Sequence, residues 1–222
     1  MQYWLEIIFM RIKENDTFVG RETEMVFDNF EYIKTETLSG DIRTDVKNML
    51  LANGKYNTYI HVANVAERNA LIAETYDLDR DKCIIAGFLH DISAVIRPED
   101  MLKYASENCW DICEAEKKYP FLLHQRLSKI CAADYYNISD EQILSAIECH
   151  STLKKCPSKY EMALFIADKL AWDKSGKPPF YEEVNGALDI SLEAACYKYM
   201  VDNDMILCPH DSWIAAYEQL KN

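Results

Sequence analysis

An all-α body is predicted for this chain of 222 residues, and three observations predict it. Apolar residues recur at three- and four-residue spacing in one segment after another from about residue 41. Ser, Asp or Pro stands at the head of most of these segments, where a helix takes its cap or its first turn. Strand character is confined to a short N-terminal piece, where the run over 25–33 is rich in aromatic and branched residues.

Residues 1–54 read as an N-terminal extension and 55–222 as the principal domain. Residues 1–38 mix apolar and charged side chains without a clean period. A helix is predicted over 41–53: Ser39 or Asp41 caps it, Ile42, Val46, Met49 and Leu50 form its stripe, and Gly54 ends it. The next helix covers 56–76, with Tyr59, Val62, Val65, Ala66, Asn69, Ala70 and Ala73 on one face and His61 beside them. Asp79 or Asp81 caps a helix that runs through Cys83 and Gly87 to His90 and Asp91. Pro98 opens another at its first turn, where a missing amide hydrogen costs little. Pro120 precedes a helix over 121–136 with His124 in its first turn. Ser139 and Asp140 start a helix that continues to His150. Ser158 caps one over 160–172 that carries Asp168. Gly176, Pro178 and Pro179 mark a loop. A long helix over 181–200 and a short one after Pro209 complete the chain. No internal repeat and no low-complexity tract interrupts this order.

The composition is that of an ordinary globular chain, 49% hydrophobic and 27% charged. Its 24 basic and 37 acidic residues give a net charge of -13. Such a chain lacks the basic footprint of a nucleic-acid or anionic-membrane binder, so neither partner is expected. The same charge repels nucleotides at long range, so a nucleotide site here needs a local metal or local cations. None of the eight cysteines forms a Cys-x-x-Cys pair. Cys83, Cys131, Cys149 and Cys196 fall in apolar helical patterns and read as small buried hydrophobes. Glu6 interrupts the apolar start, which also lacks a basic head and a small-residue cleavage site, so no signal peptide is read. No stretch is long and apolar enough to span a membrane. A cytoplasmic location with reduced cysteines is the expectation.

Chemistry enters where the apolar run 83–89 ends in His90 and Asp91. The run carries both polar groups inward, and unpaired polar groups there cost several kcal/mol. A divalent cation is a partner that an imidazole and a carboxylate can share. Four of the five histidines, His61, His90, His124 and His150, lie at or beside apolar helical stripes. Each alone is accounted for by a hydrogen bond at the edge of a core. Asp91 is harder to account for, because a carboxylate is unfavourable at the negative end of a helix dipole. Asp168 lies inside an apolar run, and pairing it with Lys169 or Lys174 would bury an ion pair at a desolvation cost. One metal site accounts for all six residues together.

In order and wording these residues resemble the HD-domain metal-dependent phosphohydrolase superfamily. The stretches are Tyr59-Ile-His61, Ala86-Gly-Phe-Leu-His90-Asp91, Leu122-Leu-His124, Ala146-Ile-Glu-Cys-His150 and Ile166-Ala-Asp168-Lys169. Within the superfamily they are most similar to the YqeK-like symmetrical bis(5'-nucleosyl)-tetraphosphatases, over about residues 55–220. The resemblance implies an HD-domain helical bundle in which His61, His90, Asp91 and Asp168 hold iron or manganese, as one or two ions. It places His124 and His150 near a second metal or the substrate phosphates, and Asp91, His124 and His150 in catalysis. It implies a small nucleotide substrate, a dinucleoside tetraphosphate cleaved to two diphosphates, and a homodimer. Monophosphatase, cyclic-nucleotide phosphodiesterase and nucleotide-sensing roles share the same scaffold. Thr58, Ser151 and Lys174 are the substrate-contact candidates. The chain departs from the family at Thr58 and Ala94, where relatives carry Arg and Lys. Arg97, Arg126, Lys154, Lys169 and Lys174 are the candidate substitutes. Near the C-terminus, His210 resembles a displaced family histidine and is read as a helix cap. The segment 38–43 resembles the Ser-Thr-x-Ile-Arg motif of nicotinate-mononucleotide adenylyltransferases. Gly40 replaces its threonine and no nucleotide-binding core precedes it, so no adenylyltransferase activity is expected.

Overall fold

The computed structural model describes residues 25–171, 176–202 and 209–221. Among the described residues there are eleven α-helices, three short 3₁₀ turns and no strand. Side-chain caps set many of the helix starts. Asp41 accepts from Thr44 N at 2.8 Å and begins α1 (Ile42–Ala52). Asp79 accepts from the amides of Asp81 and Lys82 and begins α3 (Arg80–Leu89), which follows α2 (Tyr56–Tyr76). Pro98 is the first residue of α4 (Pro98–Glu107). After α5 (Glu114–Lys118) and α6 (His124–Asp134), Asp140 caps α7 (Glu141–Glu148). Ser158 caps α8 (Lys159–Leu170) in a reciprocal box, with Glu161 accepting from Ser158 N at 2.7 Å. Each such cap is worth about 1 kcal/mol. The chain closes with α9 (Tyr181–Ala187), α10 (Leu192–Asp202) and α11 (Asp211–Leu220), the last capped by His210 as the sequence suggests.

The helices that matter for function form the centre of the bundle. α2 lies along α3 and α8, and α7 packs on α3, α6 and α8. Phe88, Leu89, Leu127, Ile147, Phe165 and Leu123 are fully buried where these helices meet. Val26, Phe27 and Phe30 join the same core as Val46, Met49 and Leu50. No helix of the described residues is long and apolar enough to cross a membrane.

Three expectations differ from the structure. The run over 25–33 is not a strand: Val26–Asn29 is a 3₁₀ turn. Asp28 accepts from Met25 N at 3.0 Å, and the Asn29 amide donates to Val26 O at 3.1 Å. These local bonds occupy the backbone that a strand would offer to a neighbour. The helix over 121–136 begins as a 3₁₀ turn, Pro120–Leu123, and becomes α-helical only at His124. The long helix over 181–200 is two helices, because Ser191 Oγ accepts from Ala194 N at 3.0 Å and starts α10 afresh. The sequence reading also lacked α5 and the 3₁₀ turn Ile92–Val95 that follows Asp91.

Candidate metal centre

The centre is assembled at helix ends. α3 stops at Leu89 with His90 as its C-cap, and His150 follows directly after Cys149, the C-cap of α7. His124 takes the same place after the turn Pro120–Leu123. The last carbonyls of a helix lack backbone donors. Each imidazole supplies one, to the residue three positions upstream: His90 Nδ1 to Gly87 O at 2.7 Å, His124 Nδ1 to Phe121 O at 2.6 Å and His150 Nδ1 to Ile147 O at 2.8 Å. A carbonyl can only accept, so Nδ1 carries the hydrogen in all three rings. Nε2 is left as a lone pair directed into the centre.

α2 brings His61 to the same place because α2 and α3 touch backbone to backbone. A Cβ at Gly87 would stand 2.5 Å from Ala66 Cα, so only glycine permits this approach. His61 Nε2 then lies 3.3 Å from His90 Nε2 and 3.0 Å from Asp168 Oδ1, which α8 supplies. His124 Nε2 lies 2.9 Å from His150 Nε2. Asp91 faces both pairs: its Oδ1 is 3.2 Å from His124 and 3.4 Å from His150, and its Oδ2 is 3.6 Å from His90 and 3.8 Å from His61. His90 and His150 are fully buried, and the other four side chains are largely so.

Burial acts to raise the pKa of Asp91, but the adjacent His90 and the His124 and His150 rings outweigh it and hold the carboxyl well below its usual range. Asp168 shows the same balance, with Lys169, His61 and His90 outweighing burial. Burial also opposes a charged His124, yet its bond to Asp91 wins and the pKa is raised. Burial pushes His150 down to about 4, against the pull of Asp91. The two carboxylates are therefore anionic among inward-facing nitrogen lone pairs.

That arrangement fits a divalent cation. Two lone pairs facing each other at 2.9 Å, as in His124 and His150, repel unless a proton or a cation lies between them. Asp91 Oδ1 is buried and lacks a well-directed hydrogen bond. Within the set, His61, His90 and Asp168 can converge on one ion, and His90, Asp91 and His150 on one, with donor atoms inside 4.8 Å of each other. Nitrogen and carboxylate donors suit iron, manganese or zinc-like ions.

A cleft of about 410 Å³ opens beside the centre. Asp91, His124, His150, Ser151 and Asp168 line it, together with Lys55, Ala94, Arg97 and Phe121. Ser151 Oγ lies 3.3 Å from His124 Nε2. Thr58 is half-buried on α2 and does not line the cleft. Lys174 lies outside the described residues. Two other candidate cations are held elsewhere, Arg126 by Glu116 at 3.1 Å and Lys154 by Glu161 at 2.7 Å, and Lys169 is paired at 2.5 Å with Asp168 of the centre itself. Arg97 does line the cleft. Lys55 and Phe121 were not singled out from the sequence. Their one available signal is position, just ahead of α2 and of His124.

A third cluster, Cys113, Glu116 and His210, also brings donor atoms within 4.8 Å. His210 Nδ1 accepts from Ser212 N at 3.1 Å, which puts the ring hydrogen on Nε2, facing Glu116 at 3.5 Å. Glu116 is already bonded by Arg126 and by Cys113 N. Arg126 thus offsets the charge of Glu116, and the approach of His210 to it brings the start of α11 against α5.

A buried set of imidazoles and carboxylates at helix ends, beside a cleft, is a site that can hold a divalent cation and admit a small molecule to it. The chain belongs to the HD domain family, whose model matches residues 58–173. It is 33% identical over 147 residues to an uncharacterized protein in the pepC 5' region of Lactococcus lactis subsp. cremoris, covering 65% of this chain and 75% of that one. It is 33% identical over 126 residues to a symmetrical bis(5'-nucleosyl)-tetraphosphatase of Staphylococcus aureus, covering 50% of this chain and 56% of the other. Among solved structures, it is similar to a predicted HD superfamily hydrolase of Clostridium acetobutylicum described as involved in NAD metabolism. The TM-score is 0.70 at 26% identity, over 84% of this chain and 98% of that one.

Proposed function

We propose that the chain is a metal-dependent phosphohydrolase that cleaves a dinucleoside tetraphosphate, or a closely related small nucleotide, to nucleoside diphosphates. The observation that carries the reading is the convergence of four imidazoles and two carboxylates beside the cleft, with Asp91, His124, His150 and Asp168 lining it. The Staphylococcus relative, by its name, supports the tetraphosphate substrate. His61, His90, Asp91 and Asp168 would hold iron or manganese, and His124 and His150 would complete a second position or meet the phosphates. A divalent ion held there would supply Lewis acidity, which activates water near neutral pH and offsets charge on phosphoryl oxygens.

The protein's own groups do the rest. The three Nδ1–carbonyl bonds fix the rings, so that Nε2 is the working atom of each. His124 lines the cleft and its pKa is raised beside Asp91, so it is the ring placed to take up a proton at Nε2 and deliver it to a leaving phosphate oxygen. Asp91 orients that proton and accepts from whichever ring carries it. Buried His150, held low in pKa, stays neutral and remains a donor of its lone pair.

The test is metal analysis of the purified protein followed by a substrate panel with product identification. Two nucleoside diphosphates from a dinucleoside tetraphosphate are expected, with His90→Ala losing both metal and turnover. Inorganic phosphate from a mononucleotide, or a linear monophosphate from a cyclic one, would move the activity to another reaction on the same centre. Wild-type and His90→Ala proteins with the same metal content and rate would end the proposal.

A further inference from the structure

We propose that Lys55 and Arg97 hold the polyphosphate of a nucleotide in the cleft beside the metal centre, and that the exposed ring of Phe121 stacks its base. This deepens the reading above, and its test is built to fail separately from it.

The observation is electrostatic. The protein carries a net charge of -13, and the cleft wall includes the carboxylates Asp91 and Asp168. A polyphosphate entering it therefore needs fixed cations at the wall. The wall offers two, Lys55 and Arg97. Lys55 stands at the N-cap position of α2, and among the described residues its ammonium forms no ion pair. The same helix end has no side-chain cap, so its first-turn amides add partial positive charge. Arg97 is fixed from one side: Nε pairs with Asp100 at 2.7 Å and Glu99 at 3.7 Å, and the guanidinium lies 4.2 Å over the Tyr32 ring. Nε is the atom that pairs with both carboxylates and the Tyr32 side chain is a further partner, so the guanidinium, a fork that fits phosphate oxygens, is held in place where Arg97 lines the cleft.

The same two residues account for the departures seen in the sequence. Lys55 lies three residues before Thr58, and Arg97 three residues after Ala94. Ala94 lines the cleft next to Arg97, so a small side chain leaves the space that a cation reaches from the next turn of chain. Opposite the phosphates, Phe121 is 53% exposed, although it belongs to the same wall. Its ring is nearly parallel to that of His124, at 21° with centroids 6.0 Å apart, and more than half of the residue stays open to solvent. An open aromatic face beside a phosphate site is what a base stacks on.

The experiment measures binding of ADP and of inorganic pyrophosphate to the metal-loaded full chain, at two salt concentrations, together with turnover of diadenosine tetraphosphate. Lys55→Ala and Arg97→Gln should each weaken both ligands about tenfold, with metal content and melting temperature unchanged. Lys55→Arg should restore most of the loss. Phe121→Ala should weaken ADP about fivefold or more and leave pyrophosphate alone. Wild-type protein that binds neither ligand, or cation variants that bind both as wild type does, would overturn the inference. If the cation variants lose ADP while no tetraphosphate is cleaved, the inference stands and the hydrolase reading falls. If tetraphosphate is cleaved with an unchanged KM in both cation variants, the hydrolase reading stands and the inference falls.

Discussion

Replacing Gly87 with alanine should loosen the fold and the metal centre together. The new Cβ would meet Ala66 Cα at 2.5 Å and Ala66 N at 2.8 Å, where ordinary contact begins at 3.4 Å. Backbone atoms cannot swing aside, so α2 and α3 must part by about 0.9 Å at this point. Overpacking of this kind costs about 1–3 kcal/mol, and removing a helical glycine returns about 0.5–1 kcal/mol. The expected net loss is therefore about 1–2 kcal/mol in urea unfolding. The displacement also reaches the centre: Gly87 O holds His90 Nδ1, and Ala66 is on the same helix as His61, whose Nε2 sits 3.3 Å from His90 Nε2. Metal retained after dialysis, read by mass spectrometry, should fall with stability. Gly186→Ala in α9 is the control, because nothing lies within 4 Å of its Cβ, and it should be neutral or slightly stabilising. A Gly87→Ala protein with wild-type stability and metal content would refute the claim that this contact sets the spacing of His61 and His90.

Two further outcomes follow from charges in the structure. Glu116 is buried, and the nearby His210 ring together with bonds from Cys113 N and Arg126 outweighs the effect of burial and holds its pKa down from 4.5 to about 2. Because the folded value is the lower one, its contribution is full above about pH 4.5 and disappears as pH falls toward 2, a difference of about 3 kcal/mol. The stability gap between wild type and Glu116→Gln, from chemical denaturation, should therefore narrow between pH 6 and pH 3; a constant gap would contradict the assignment. Asp91→Asn keeps the shape of the centre but removes an anionic donor facing four imidazoles. Its metal affinity should drop at least ~10–100-fold, the loss known even for groups one shell further out, with an unchanged circular dichroism spectrum. Wild-type affinity in Asp91→Asn would remove Asp91 from the ligand set.

What could be read from the sequence follows the range over which each signal acts. α2 was legible to its ends because a 21-residue helix repeats its apolar stripe many times. Asp140 and Ser158 were legible as caps, and Asp41 and Asp79 each as one of two candidates, because a cap acts within three residues. The five-residue α5 is too short to show a period, and the break at Ser191 is one hydroxyl inside an otherwise continuous pattern. The six residues of the centre stood out because polar groups inside apolar runs are rare, and they do meet in space. Of the cleft cations, Arg97 stood only as one of five candidates and Lys55 did not stand out at all. Lysines and arginines are common on surfaces, and which of them faces a cleft depends on tertiary partners. Arg126, Lys154 and Lys169 are spent on carboxylates, whereas Lys55 and Arg97 sit at helix starts where the chain turns toward the centre.

The awkward feature of the sequence was a carboxylate at the end of an apolar helix. The structure turns this into part of the electrostatic design. α3 and α7 both end at the centre, so both aim the negative ends of their dipoles at it. Three rings then donate Nδ1–H to the free carbonyls of those ends and of the turn Pro120–Leu123, which removes those donors from the centre and leaves lone pairs pointing inward. Asp91 and Asp168 add full negative charge. Each element raises the energy of an empty centre: lone pair faces lone pair, and carboxylate faces dipole. Lys169 offsets one of these charges, at Asp168, and protonation of His124 offsets another. A divalent cation at the centre would relieve all of them at once. Asp91 is unfavourable as a helix terminus for the same reason that it is favourable as a ligand, because both follow from the negative potential that the two helix ends create there.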